Sequence, residues 1–282
     1  MDAPLVKGDG RTHVKSGLMG ESLVSKTLNE STEGGPIRRM VPDVSFIAIG
    51  GQSIMDRGAE ALLPLVETLV ELRQRHKIII GVGGGARVRH TYAIGLDLGL
   101  PIGGLARVVG AVEEQNRDLL VFLLAPHGGI TFIKDHLQDL PMWLDGGMIP
   151  VCIGQPPYHF WEPPPVQGRL PENGTDVGLF IMAELVGASR IAYVKDVDGI
   201  YTGNPKADKG VRMMQQTSVK ELMQLDLPDL PFEREVLRCL ERSRVLRKIH
   251  LVNGLQPQSL RRLFDGEAVG STITATNELV SR

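Results

Sequence analysis

Two short apolar runs in this chain each end in consecutive glycines. Ser45-Phe46-Ile47-Ala48-Ile49 runs into Gly50-Gly51, and Lys77-Ile78-Ile79-Ile80 runs into Gly81-Val82-Gly83-Gly84-Gly85. Short apolar, β-branched runs bounded by glycine read as buried strands. A helical stretch follows each one. Leu62, Leu65, Val66, Leu69, Val70 and Leu72 make an apolar stripe over roughly 58–75, and a second helical stretch runs on through Leu98. This order restricts the fold more than any other feature, because strands alternating with helices build a mainly parallel sheet covered on both faces.

The alternation continues. The pattern predicts an apolar helix over 116–126, strands at 130–134 and 149–153, a proline-rich loop over 156–171 and a helix over 175–186. It then predicts a strand at 190–194, helices over 219–225 and 233–244, a strand at 249–252, a short helix over 258–264 and a last strand at 271–275. The expected fold class is α/β, a three-layer sandwich with a mainly parallel central sheet. Residues 1–36 hold no sustained apolar period, so they read as a flexible or partner-docked arm with a weak helix around 18–28. Residues 37–282 read as the folded domain.

Composition narrows the function classes. Thirty-one basic against 33 acidic residues give a net charge of -2, which is no electrostatic footprint for nucleic acid or an anionic membrane. Cys152 and Cys239 are too few for a disulfide framework or a four-cysteine zinc site. A reducing compartment is the simplest reading. With no apolar span and no signal-peptide core, the expected location is the cytoplasm.

In parallel sheets ligands sit at the carboxyl ends of the strands. Gly50-Gly51 falls at such an end, where glycine lets backbone approach a ligand; an ordinary tight turn is the alternative. Gly83, Gly84 and Gly85, with Arg87, Arg89 and His90 behind them, suit a phosphate or another oxyanion. Neither a Walker loop nor a dinucleotide-binding fingerprint fits the spacing. The segment from Lys195 to Lys206 (KDVDGIYTGNPK) also follows a strand. Its carboxylates suit Mg²⁺ held through water and its lysines suit phosphates, while a solvated turn explains the same residues equally well. Thr175 or Asp176 caps the next helix, and a capping Asp can also orient lysines. The stiff loop holding His159, Trp161 and Glu162 suits a ligand cavity or an oligomer contact.

Together these blocks resemble the amino acid kinase family, and within it the uridylate-kinase-like branch, over about 41–275. A closer resemblance is to the molybdenum storage proteins, carried by GARVRH, EEQN, PPYHFW, KDVDGIYTGNPK and VNGLQPQ. That resemblance implies the amino acid kinase fold and a cage-like homo- or hetero-hexamer. It also implies use of ATP with Mg²⁺ to accumulate molybdate or tungstate as oxide clusters. Carried onto this chain, it implies that Asp176 and Lys206 organise phosphate charge. Gly50, Gly51, Gly83, Gly84, Gly85, Arg87, Lys195, Asp198 and Asn204 would bind the nucleotide. His136, His159 and Glu162 would meet the metal oxyanion. One position departs from the family: the lysine expected two residues before Gly50-Gly51 is Ala48. Alanine has no charge to offset developing phosphoryl charge, so nucleotide binding is expected more firmly than ATP hydrolysis. Lys195, Lys206 or a partner subunit would have to supply the cation. A uridylate or other small-molecule kinase, and a catalytically inactive partner subunit, are the rival readings.

Overall fold

The computed structural model describes residues 5–6, 13–14, 37–154, 173–203 and 210–276. The weak helix expected near 18–28 and the proline-rich loop lie outside the described residues. The chain divides into two units, Met1–Arg38 and Arg39–Arg282. In the first, β1 (Leu5–Val6) pairs antiparallel with β2 (His13–Val14).

The second unit carries the α/β core. Its elements are β3 (Ser45–Ile49), α1 (Ala59–Leu72), β4 (Ile78–Val82), α2 (Gly85–Asp97), α3 (Ile102–Leu124), β5 (Gly129–Thr131), α4 (Leu140–Asp145) and β6 (Ile149–Ile153). There follow α5 (Thr175–Val186), β7 (Arg190–Lys195), β8 (Ile200–Tyr201), β9 (Met213–Met214), β10 (Gln216–Ser218) and α6 (Val219–Leu225). The last are α7 (Glu235–Arg242), β11 (Lys248–Asn253), α8 (Pro257–Phe264) and β12 (Ser271–Thr274).

The central sheet has eight strands in the order β10-β12-β11-β7-β3-β4-β6-β5. Six strands, from β11 to β5, run parallel, and β12 reverses direction against β11. The central strands β3 and β4 are sandwiched between two apolar layers and are buried along their whole length. On β3 the pleat sends Phe46 and Ala48 into the layer that holds Leu179, Phe180 and Tyr193. Ile47 and Ile49 enter the opposite layer with Leu65 and Leu69 of α1 and Leu260 of α8. Each fully buried side chain of this size contributes about 1.5–3 kcal/mol of transfer free energy.

The structure alters the expectation in four places. The helix expected over 116–126 spans Ile102–Leu124, because Glu113, Asn116 and Arg117 lie on its buried face and break the apolar stripe. The strand expected over 130–134 is only Gly129–Thr131, and Lys134–Asp139 forms a 3-10 turn. The helix expected from 233 starts at Glu235. Finally, β8, β9, β10 and α4 are too short to show a sequence period. Among the described residues no helix is long and apolar enough to cross a membrane.

Candidate functional site

The carboxyl ends of β3, β4 and β7 meet at one edge of the sheet, where a cavity of about 650 Å³ opens. Both glycine turns line it, together with the first turn of α5, the end of β7 and the loop before α7.

The floor is backbone against backbone. Gly83 N–H donates to the carbonyl of Ile49 at 2.9 Å, and a Cβ on Gly51 would run into the backbone of Gly85. Gly85 has φ +73°, a left-handed conformation that side chains resist. Asp56 reaches across from the turn after β3, and its carboxylate accepts the Ala86 N–H at 2.6 Å at the start of α2. Its neighbour Arg57 lines the cavity and pairs with Asp196 at 2.6 Å. Arg89 also lines the cavity.

Lys195 ends β7. Its Nζ donates to both oxygens of Asp176, at 2.8 and 2.9 Å, and the two side chains are only 11% and 14% exposed. The lysine stem crosses Gly50, where an added Cβ would lie 3.0 Å from Cδ. Tyr193, two residues earlier on the same face, donates its hydroxyl to the Asp176 carbonyl at 2.8 Å. Ala48 is buried between Gly81 on β4 and Tyr193 on β7. The cationic group of this sheet face therefore stands on the neighbouring strand.

Around the start of α5 the electrostatics are unusual. Glu233 accepts N–H groups from Gly174 at 2.9 Å, Val177 at 3.0 Å and Asp176 at 3.3 Å. Burial, then the nearby Asp176 charge, push its carboxyl up to about 7 despite those bonds. Glu113 is wholly buried, and desolvation drives its carboxyl well above the usual range. One Glu113 oxygen accepts the Thr175 hydroxyl; Oε2 has no hydrogen-bond partner among the described residues. Asn116, one turn further along α3, donates to the carbonyls of Gly83 at 2.7 Å and Gly84 at 3.2 Å. Thus α3 braces the glycine turn and the start of α5 together.

The structure gathers Gly51, Gly83, Gly84, Gly85, Asp176 and Lys195 around one cavity, with Gly50 beneath the lysine stem. Arg87, Asp198 and His136 have other partners in this structure. Arg87 bonds Gln115 at 2.8 Å and Asn116, so its guanidinium clamps α2 to α3. Asp198 accepts amide N–H groups from Asn253 at 2.7 Å and Gln256 at 3.4 Å. His136 packs edge-on against Trp143, with Nδ1 buried and without a hydrogen-bond partner among the described residues. Asn204, Lys206, His159 and Glu162 lie outside the described residues. Asp56, Arg57, Glu113, Asn116 and Glu233 are cleft residues that the sequence reading did not single out. For Glu113 and Asn116 the available signal is polar residues three apart on a helix face otherwise apolar; Glu233 has none.

The sequence profile of the amino acid kinase family matches residues 43–245. The chain belongs to the amino acid kinase family. It is 40% identical over 259 residues to the molybdenum storage protein subunit beta of Azotobacter vinelandii, covering 92% of this chain and 96% of that one. The uridylate kinase of Ignicoccus hospitalis is 27% identical over 223 residues, covering 74% of this chain and 91% of that kinase. In fold, the chain is similar to the uridylate kinase from Archaeoglobus fulgidus, with a TM-score of 0.65, 20% identity, and 82% and 99% of the two chains covered. The family match accords with the mainly parallel central sheet.

Among the described residues no three His, Cys, Asp or Glu side chains form a metal cage. A magnesium ion carried on nucleotide phosphates needs only one or two protein carboxylates. Asp176 and Asp196 line the cavity and suit that demand, although each is held by a cation in this structure.

Proposed function

We propose that this chain is a nucleotide-binding subunit of a molybdate or tungstate store, working in the cytoplasm as part of a homo- or hetero-hexameric cage. The observation that carries the reading is the 40% identity to a molybdenum storage subunit along nearly the whole of both chains. The cleft supports it. The glycine turns offer an unobstructed path for an ATP phosphate chain, and Lys195, Arg57 and Arg89 supply cations beside that path. Asp176 fixes the Lys195 ammonium, with Lys206 and Asn204 from the same connection, and Asp198 towards the nucleotide end. Mg²⁺ bound with the nucleotide would neutralise phosphate charge next to Asp176. His136, whose Nδ1 has no hydrogen-bond partner among the described residues, and His159 and Glu162 are the proposed contacts for the metal oxyanion.

The test is direct. Purified chain is incubated with MgATP and molybdate or tungstate, freed of unbound oxyanion, and assayed for metal by elemental analysis. Many metal atoms per chain, dependent on ATP, is the expected result. A chain that neither retains metal nor binds ATP overturns the reading.

Ala48 supports a second reading, a subunit that binds nucleotide without transferring phosphate and completes a cage with a lysine-bearing relative. On that reading metal is retained only when both subunits are present, and Ala48→Lys gives the chain ATPase activity of its own. UMP-dependent ADP formation by the chain alone would instead place it with the kinases.

A further inference from the structure

The first turn of α5 carries backbone N–H groups that no helical carbonyl can satisfy, and these face the cleft. Such a turn favours an anion through its donors and through the helix dipole. In this chain a carboxyl group already sits there, and the chain itself supplies it. The Glu233 carboxylate spans Gly174, Asp176 and Val177 from a loop some 57 residues away in sequence. Gly174 is required for this seat, since any Cβ there would strike the Glu233 carboxylate.

We propose that Glu233 is an internal competitor for the oxyanion position at the start of α5, so that a phosphate-like ligand gains those three donors only by displacing it. The inference rests on the proposed function, which places such a ligand in this cleft.

Three observations favour a displaceable occupant over a permanent cap. First, the seat is electrostatically poor for a carboxylate. Asp176 on α5 stands close to it, and Lys195 on β7, the nearby ammonium among the described residues, is already bound by both Asp176 oxygens. Second, Glu233 belongs to neither α5 nor α7. It lies in the loop between α6 and α7, and Leu230, Pro231 and Phe232 of that loop also line the cavity. Its backbone carbonyl accepts the Val236 N–H of α7 at 3.0 Å, and withdrawing the side chain alone leaves that bond intact. Third, the turn holds polar capacity that the resting chain leaves unused. Glu113 is entirely buried and accepts the Thr175 hydroxyl with one oxygen, while its other oxygen has no partner among the described residues. Unpaired buried polar groups are costly, and burial favours the protonated form of Glu113, which has a proton to donate. An oxyanion seated over Thr175 would be its acceptor.

The consequence is a threshold. Weak or singly charged anions fail to evict Glu233, and a polyphosphate, which gains Lys195 and Arg89 as well, succeeds. The experiment titrates the full chain with sodium tripolyphosphate by calorimetry, with sodium molybdate in a separate arm, for wild type, Glu233→Gln and Glu233→Asp. Gln keeps the shape without the charge; Asp keeps the charge but is one methylene short of the three donors. The expected result is tripolyphosphate affinity raised on the order of tenfold in both variants, the loss of one charge-assisted competitor. Tightening with tripolyphosphate alone assigns the position to phosphate, and equal tightening in the molybdate arm assigns it to tetrahedral oxyanions in general. Ligand-induced melting shifts run in parallel, so that a variant of lower stability is still read through its response to ligand. Unchanged or weaker affinity in both variants, with wild type binding, overturns the competitor while the nucleotide-binding reading stands. Failure of every chain to bind either probe overturns both.

Discussion

Two helices begin at the cleft, and each is capped by a carboxylate from elsewhere in the chain. At α2 the cap is Asp56, an exposed side chain thirty residues before its partner, which accepts one N–H. At α5 the cap is Glu233, largely buried, which accepts three N–H groups beside another carboxylate. The α2 cap is solvated, so water can replace it cheaply. The α5 cap is distant, desolvated and beside the Asp176 charge, so it stores the cost of keeping a carboxyl group where a ligand would also fit. Helix starts that share a rule for satisfying their donors can therefore differ in what they make available to a ligand.

The largest effect expected on this contrast is at Lys195. Lys195→Met leaves Asp176 buried without its cation, next to Glu233, and should cost about 3–5 kcal/mol in denaturant unfolding. ATP binding measured by calorimetry should fall with it. Retained stability would mean that water reaches Asp176 and that the α5 side is as solvated as the α2 side.

Next comes pH. The folded-state pKa of Glu233 is raised to about 7 from 4.5. Its contribution to stability is therefore full below about pH 4.5 and is lost as pH rises through 7, an effect of at most about 3–4 kcal/mol shared with its neighbour Asp176. Unfolding free energies measured from pH 5 to pH 8 should fall less steeply for Glu233→Gln than for wild type. Parallel curves would show that Glu233 titrates like an ordinary exposed acid.

Gly51→Ala drives a methyl group into the Gly85 backbone and should cost about 1–3 kcal/mol by thermal melting. The smallest effect belongs to Asp56→Ala. Loss of one exposed cap should cost about 0.5–2 kcal/mol on the same melting assay. A cost at Asp56 equal to that at Lys195 would erase the distinction between the two helix starts.

Much of the layout was legible in the sequence. The runs ending at Gly50 and Gly85, the helix at 175–186 and the strand at 190–194 follow from period and punctuation, and they place the cleft edge without further information. Ala48 was legible as a missing charge. The identity of its neighbours was not, since only the register of β3 against β7 puts Lys195 on the same face one strand over. Glu113 was hidden because a buried carboxyl on a helix reads as a solvated face. Glu233 was hidden because nothing local connects it with a turn 57 residues earlier. Arg87 was singled out for its position behind a glycine turn, and its bonds to Gln115 and Asn116 on α3 were not legible there. Local pattern finds backbone features, and side-chain partners across the fold escape it.

The hydrogen bond between Gly83 and Ile49, with no room for a side chain at Gly51, makes the bottom of the cleft a surface without chemical identity. Point substitution has almost nothing there to vary. Descendants of this chain can change what they discriminate only by rewriting the rim: the end of β7, the first turn of α5 and the loop that carries Glu233. The same foundation would then serve different cargoes, with selectivity drifting in three short segments while the base stays frozen.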